Sequence, residues 1–210
     1  MQSECMSSHW AEQNLDVIRT LMERSAVYRR ALAPLMIAAG LAGIAAATLT
    51  CFVRIESAAS FTWYWLAVAV AALAICLLLV RRQALKSEEA FWSAPTRRVA
   101  QAVIPGFFVG AAASLIFVRG GSPEVWKLSL IWAAAYGCAI HAAGFFMPRG
   151  MKLFGWLMIL LALGGYAVIG EFVDAPTTET AHYVMGTLFG VIQLVYGLYL
   201  RFTEDGKQAA

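Results

Sequence analysis

No Asp, Glu, Lys or Arg stands near the middle of any long apolar stretch of this chain, and charged residues make up only 14% of its 210 positions. Ionisable side chains held inside a membrane mark proton relays, ion-coupled carriers and counter-ion sites. Their absence argues against a proton pump, a carrier driven through a buried carboxylate, and a retinal protein with a Schiff-base lysine in its spans. Histidine is as scarce: there are three, and only His141 falls within an apolar stretch, so the spans of one copy offer no bis-histidine haem. No Gly-rich phosphate loop, HExxH or GxSxG is present. The expectation is a non-enzymatic protein without cofactor or metal. The four cysteines, Cys5, Cys51, Cys76 and Cys138, form no CxxC pair. They read as small apolar packing residues, with no disulfide expected within the chain.

What fills the chain instead is apolar sequence, 60% of its residues. It is gathered into six stretches: Leu32–Phe52, Phe61–Val80, Val99–Val118, Val125–Met147, Leu153–Val173 and Tyr183–Leu200. Each approaches the ~20 residues that an α-helix needs to cross a hydrocarbon core. All but three of the sixteen Lys and Arg lie on one side of these stretches. Arg19, Arg24, Arg29 and Arg30 precede the first; Arg81, Arg82, Lys86, Arg97 and Arg98 separate the second from the third. Arg149 and Lys152 separate the fourth from the fifth, and Arg201 and Lys207 follow the sixth. The other side holds Arg54, Arg119 and Lys127. Basic residues stay cytoplasmic during insertion. The pattern predicts an all-α polytopic membrane protein with six transmembrane helices and both termini cytoplasmic. The net charge of +3 is explained by these loops and calls for no nucleic acid.

Three parts are expected: a cytoplasmic tail and surface helix over 1–31, the six-helix domain over 32–200, and a cytoplasmic tail over 201–210. In Asn14–Arg30, Leu15, Ile18, Leu21 and Met22 recur at helical spacing, opposite Asp16, Arg19, Glu23 and Arg24. With Asn14 as N-cap, this is an amphipathic helix on the membrane surface or a docking surface for a cytoplasmic partner. A cleaved signal peptide is not expected, since the first ~30 residues are polar and the next run is of full span length. Ser87 with Glu88 and Glu89 reads as a short helix start in the long inner loop. Phe61, Trp63, Tyr64, Trp65 and Trp126 read as interfacial belt residues. The last outer loop, with Glu171, Asp174, Glu179 and His182, reads as a solvated acidic loop rather than a cation site.

The run Ile18-Arg19-Thr20-Leu21-Met22-Glu23-Arg24-Ser25, followed by an Ala/Gly-rich first span, resembles the opening of a family of uncharacterised bacterial membrane proteins. Those also read as six spans, and their first span often carries a Ser-Gly-Leu-Ser-Gly run where this chain has Leu32–Ile37 with Pro34. The resemblance is strongest over roughly residues 15–50. It implies six-span topology and bacterial origin, and carries no functional residues.

Small residues form stripes on four of the apolar stretches: Gly40 and Gly43 on the first, Gly106 and Gly110 on the third, Gly137 and Gly144 on the fourth, and Gly186, Gly190 and Gly197 on the sixth. Such faces let helix backbones approach closely, and polar side chains then bond across the gap. His141 and Gln193 lie within two of these stripes at similar distances from the inner ends of their spans. They are a candidate intramembrane pair. The leading expectation is a structural, accessory or regulatory subunit that packs against partners in the bilayer, as a homodimer or in a membrane complex. The alternatives are a transporter or channel for a small neutral solute, and a quinone- or pigment-binding accessory protein of electron transfer.

Overall fold

The computed structural model describes residues 32–86, 92, 94–147 and 149–208. The Asn14–Arg30 segment, its Ile18–Ser25 motif and the Ser87 helix start lie outside them. Among the described residues the chain is all helical: α1 (Leu32–Leu49), α2 (Ala58–Lys86), α3 (Ala94–Gly120), α4 (Val125–Ala143), α5 (Arg149–Phe172), α6 (Thr178–Met185), a π-helical segment Gly186–Val191, and α7 (Ile192–Gln208). All six apolar stretches are therefore helices. The last begins five residues before its expected start, at Thr178, where the Thr177 N–H donates to Thr180 Oγ1 at 3.3 Å.

Five of the helical segments are long and apolar enough to cross a membrane. Their outer faces carry bare hydrophobic side chains, among them Val70 (67% exposed), Phe108 (73%) and Leu163 (63%). Contiguous apolar surface on this scale belongs against lipid rather than water. The exception is α4, expected over Val125–Met147 but ending at Ala143, 19 residues in all, with Phe145–Met147 already outside the helix. It also carries Lys127, Ser129, Tyr136 and His141, which lower its hydropathy. The reason is position. α4 is the most enclosed helix, packed by α3, α5 and α6, and more than half of it is buried. A helix wrapped by its neighbours need not be apolar all round.

Successive helices run in opposite directions. Thr178 Oγ1 donates to the Glu56 carbonyl at 3.0 Å, and Trp126 stacks on Tyr166 at 5.6 Å, so the turns near 54, 122 and 175 share one end of the bundle. Gly144 against Lys152 marks the other end. Arg54, Arg119 and Lys127 all sit at the first end.

Glycine decides which helices touch. A Cβ on Gly40 would stand 2.5 Å from the Leu194 backbone nitrogen, and one on Gly43 would strike the Phe189 carbonyl. From the other side, Gly186, Gly190 and Gly197 admit Ala47, Ile44 and Ile37. This seam joins α1 to the π-helical segment and α7. Gly106 seats on Ala135 and Ala139, and so joins α3 to α4. Gly137 and Gly144 meet Gly155 and Lys152 of α5. Among the nine stripe glycines, only Gly110 has ordinary room, 3.5 Å from Trp132 Cδ1. The small faces are thus spent within one chain, which removes the main ground for expecting them to meet a partner.

Candidate functional site

The His141–Gln193 pair is not made. His141 Nδ1 lies 3.3 Å from the Lys152 carbonyl oxygen, and its ring meets Trp156 of α5 at 5.5 Å and Phe145 at 5.6 Å. A carbonyl only accepts, so Nδ1 carries the proton in this bond. The Gly155 gap brings α5 against the His141 backbone and gives the imidazole a nearer partner than α7. Gln193 is 4% exposed, and its Oε1 has no hydrogen-bond partner among the described residues. Similar depth in two spans permits contact, but depth says nothing about which faces turn towards each other.

The polar chemistry lies elsewhere, around a histidine assigned to a loop by the sequence. His182 stands on the second turn of α6 and is 7% exposed. Trp65 Nε1–H donates to its Nδ1 at 3.0 Å in a buried bond that joins α2 to α6. The rings of Phe61, at 4.9 Å, and Tyr64, at 6.3 Å, close around it. Phe61 is fully buried and stacks on Trp132 of α4 at 6.1 Å. Tyr64 donates to the Ala46 carbonyl at 2.7 Å, which ties α2 to α1. Trp132 donates to the Gly110 carbonyl at 3.1 Å and to Ser114 Oγ at 3.0 Å, which ties α4 to α3. What reads as an interfacial belt in Phe61–Trp65 is therefore split: Trp63 is 65% exposed, while Phe61 and Trp65 form part of the core.

An indole N–H can only donate. It fixes His182 Nδ1 as an acceptor and leaves the ring's proton on Nε2, which is buried beside the Ile55 backbone without full hydrogen-bond geometry. The Trp65–His182 bond also stands between two cavities. On the turn side of it is a polar cleft of about 710 Å³, whose walls include Thr48, Arg54, Glu56, Glu179, His182 and Tyr183. On the other side is an apolar groove of about 390 Å³ bounded by Gly43, Trp65, Cys76, Gly106, Trp132, Tyr136, Phe189 and Gln193. Along α1, groove residues 39 and 43 give way to cleft residues 47–51; along α6 and α7, cleft residues 177–183 give way to groove residues 185, 189 and 193. The cavities are stacked along the bundle axis. The π-helical segment forms part of the groove wall at Phe189, and π insertions often occur at functional positions.

No family model, characterised protein or solved structure matches this chain. Its chemistry has to be read from its own side chains. Among the described residues no cluster of three His, Cys, Asp or Glu is placed to hold a metal ion. Glu179 faces the cleft with His182, yet its Oε1 accepts from Tyr183 at 3.0 Å, an interaction within one helix. The arrangement offers a polar vestibule, an aromatic and histidine partition, and an apolar chamber with a carboxamide in its wall. It can bind and orient a small molecule. It supplies no paired acid and base on one reacting centre.

Proposed function

We propose that this chain is a non-enzymatic multi-pass protein of the bacterial cytoplasmic membrane that passes a small neutral solute along the path from cleft to groove. The observation that carries this reading is the stacking of the two cavities on either side of the Trp65–His182 bond. The groove wall is almost wholly apolar, and a full charge there would carry a desolvation cost with nothing to offset it. That favours a neutral solute. In the full topology α4 is the fourth of six spans, both ends are cytoplasmic, and the cleft with Arg54 faces outward by the charge bias. Bacterial origin rests on the Ile18–Ser25 resemblance. The reading as an accessory subunit is the weaker one, because the small-residue faces are occupied by the chain's own helices.

The test is flux. Purified protein in liposomes is mixed with small neutral solutes, and vesicle swelling is followed by light scattering. Permeation above protein-free vesicles, blocked when Cys76 in the groove wall is modified by a bulky thiol reagent, is the expected result. If no solute in a panel spanning polar and apolar molecules exceeds the protein-free rate, the proposal falls. Orientation is tested separately: a single cysteine at Ala175 should react with an impermeant thiol reagent on intact cells.

A further inference from the structure

The groove has one feature that simple lipid-facing packing does not explain. Gln193 is 96% removed from solvent on its wall, yet its carboxamide oxygen meets no donor among the described residues. Its surroundings, Trp65, Cys76, Trp132, Tyr136 and Phe189, offer mainly ring and alkyl surface. A buried amide left unpaired costs stability, and Leu or Met would fill the same space without that cost. Tyr136 also lines the groove, and its ring packs on Phe189 at 5.5 Å. An unpaired acceptor thus stands in the wall of one small apolar chamber. The terminal torsion of glutamine is broad, so the carboxamide can turn either its oxygen or its NH2 into that space.

We propose that the groove selects small apolar molecules bearing a single uncharged hydroxyl-type group, which the Gln193 carboxamide hydrogen-bonds. A volume of about 390 Å³ accommodates one or two fused rings or a short branched chain. A hydroxyl serves either orientation of the amide, because it both donates and accepts. A pure hydrocarbon satisfies the walls and leaves the amide unpaired. A charged head group satisfies the amide and is rejected by the walls. This inference rests on reading the groove as a solute site, and names the chemistry that the site selects.

Cys76 provides a reporter inside the groove. The full chain, with Cys5, Cys51 and Cys138 replaced by serine, is placed in lipid nanodiscs, and alkylation of Cys76 is timed. 1-Naphthol and 1-methylnaphthalene are added at matched membrane concentration; they differ by a hydroxyl against a methyl of similar size. The expected result is that naphthol protects Cys76 at roughly fivefold lower concentration, the worth of one ordinary hydrogen bond. In Gln193→Met, which keeps length and loses the amide, the two probes should protect equally. Equal protection in the unsubstituted protein overturns the hydroxyl selectivity while leaving the groove as a solute site. A preference that survives Gln193→Met overturns the role of Gln193. If neither probe slows alkylation, or a tightly bound phospholipid is found in the groove by native mass spectrometry, the solute reading falls and the inference with it. The comparison of the two probes needs only the chain that keeps Cys76 to fold, and does not depend on Gln193→Met.

Discussion

His141 and His182 stand near opposite ends of the same bundle and use the same ring nitrogen in opposite senses. His141 Nδ1 faces a carbonyl and donates; His182 Nδ1 faces an indole N–H and accepts. His141 belongs to the closed end, where Gly137 and Gly155 let α4 and α5 meet backbone to backbone. His182 belongs to the open end, where α2 is held to α4 and α6 mainly by rings, and cavities lie on either side of it. The difference teaches that an intramembrane histidine is not a functional pointer by itself. What matters is whether its partner would survive a change of proton count, and whether space adjoins it.

The largest effect should come from breaking the closed end. A Cβ at Gly155 would stand 2.6 Å from the His141 backbone nitrogen and 2.8 Å from the Gly137 carbonyl. Neither obstacle is a flexible side chain, so α4 and α5 must part. Gly155→Val is expected to cost about 3 kcal/mol or to prevent a monodisperse protein in detergent. Gly164→Val on the same helix, with nothing within 4 Å of its Cβ, should change stability by less than about 0.5 kcal/mol. Thermal unfolding followed by size-exclusion chromatography reads both. Similar losses in the two variants would mean that the α4–α5 seam does not hold the bundle.

The next effect sharpens the contrast between the histidines. An imidazolium carries hydrogen on both nitrogens, so protonated His182 has no lone pair for Trp65. The stability from this bond is present while the ring is neutral and is lost as pH falls. Trp65→Phe keeps an aromatic ring and removes the donor; it should cost about 1 kcal/mol at pH 8. The unsubstituted protein should lose a similar amount between pH 8 and pH 5, and Trp65→Phe should lose less, keeping only the part that comes from burying a charged ring. The groups near His182 that also respond to pH or carry charge are Cys51, Arg54, Glu56, Tyr64, Glu179 and Tyr183, and Glu124, just before α4, is paired with Lys127 at 2.7 Å. Repeating the titration in Glu179→Gln separates the carboxylate from the imidazole. A pH dependence that persists unchanged in Trp65→Phe would refute the assignment.

His141→Phe should do less. It keeps ring contacts with Trp156 and loses one bond to a carbonyl, a loss of roughly 0.5–1 kcal/mol. Thermal unfolding of His141→Phe beside Trp65→Phe, both at pH 8, reads the difference. A loss larger than that of Trp65→Phe would show that the His141–Lys152 contact, not the Trp65–His182 bond, is the stronger of the two.

The helices were legible in the sequence because hydropathy and length decide a span almost independently of its neighbours. Five of the expected stretches recur as long apolar helices, with ends shifted by several residues where polar turns continue the helix, as at Ala58 and Lys86 of α2. α4 was overread at its C-terminal end, since Phe145 and Met147 extend the apolar run but not the helix. The glycines were legible as close-packing positions, but their partners were not. Gly155, the glycine that faces both Gly137 and His141, was passed over because it lay in an expected span without a recognised stripe. His182 falls in a loop in the sequence reading for a different reason. Hydropathy places the start of the last helix at Tyr183, whereas the Thr177–Thr180 turn places it earlier and carries the histidine into the bundle. Reading the polar cap ahead of the apolar run would have found it.

The smallest expected change in stability bears most directly on the groove. Gly106 and Gly110 lie one turn apart on α3, and both border the chamber. A Cβ on Gly106 would meet the Ala135 carbonyl at 2.6 Å, whereas one on Gly110 would meet only Trp132 Cδ1 at 3.5 Å, an ordinary contact. Gly106→Ala should therefore push α3 off α4 and destabilise the fold by about 1–3 kcal/mol. Gly110→Ala should fall within about 0.5 kcal/mol of the unsubstituted chain, helped by alanine's better helix propensity. Its methyl nevertheless enters the chamber beside Trp132, so solute flux or Cys76 protection should change while the melting temperature does not. If Gly110→Ala alters neither flux nor Cys76 protection, the groove is a packing defect between loosely held helices. If it alters stability as much as Gly106→Ala, then α3 sits closer to α4 than the present contacts allow, and the open end is not open.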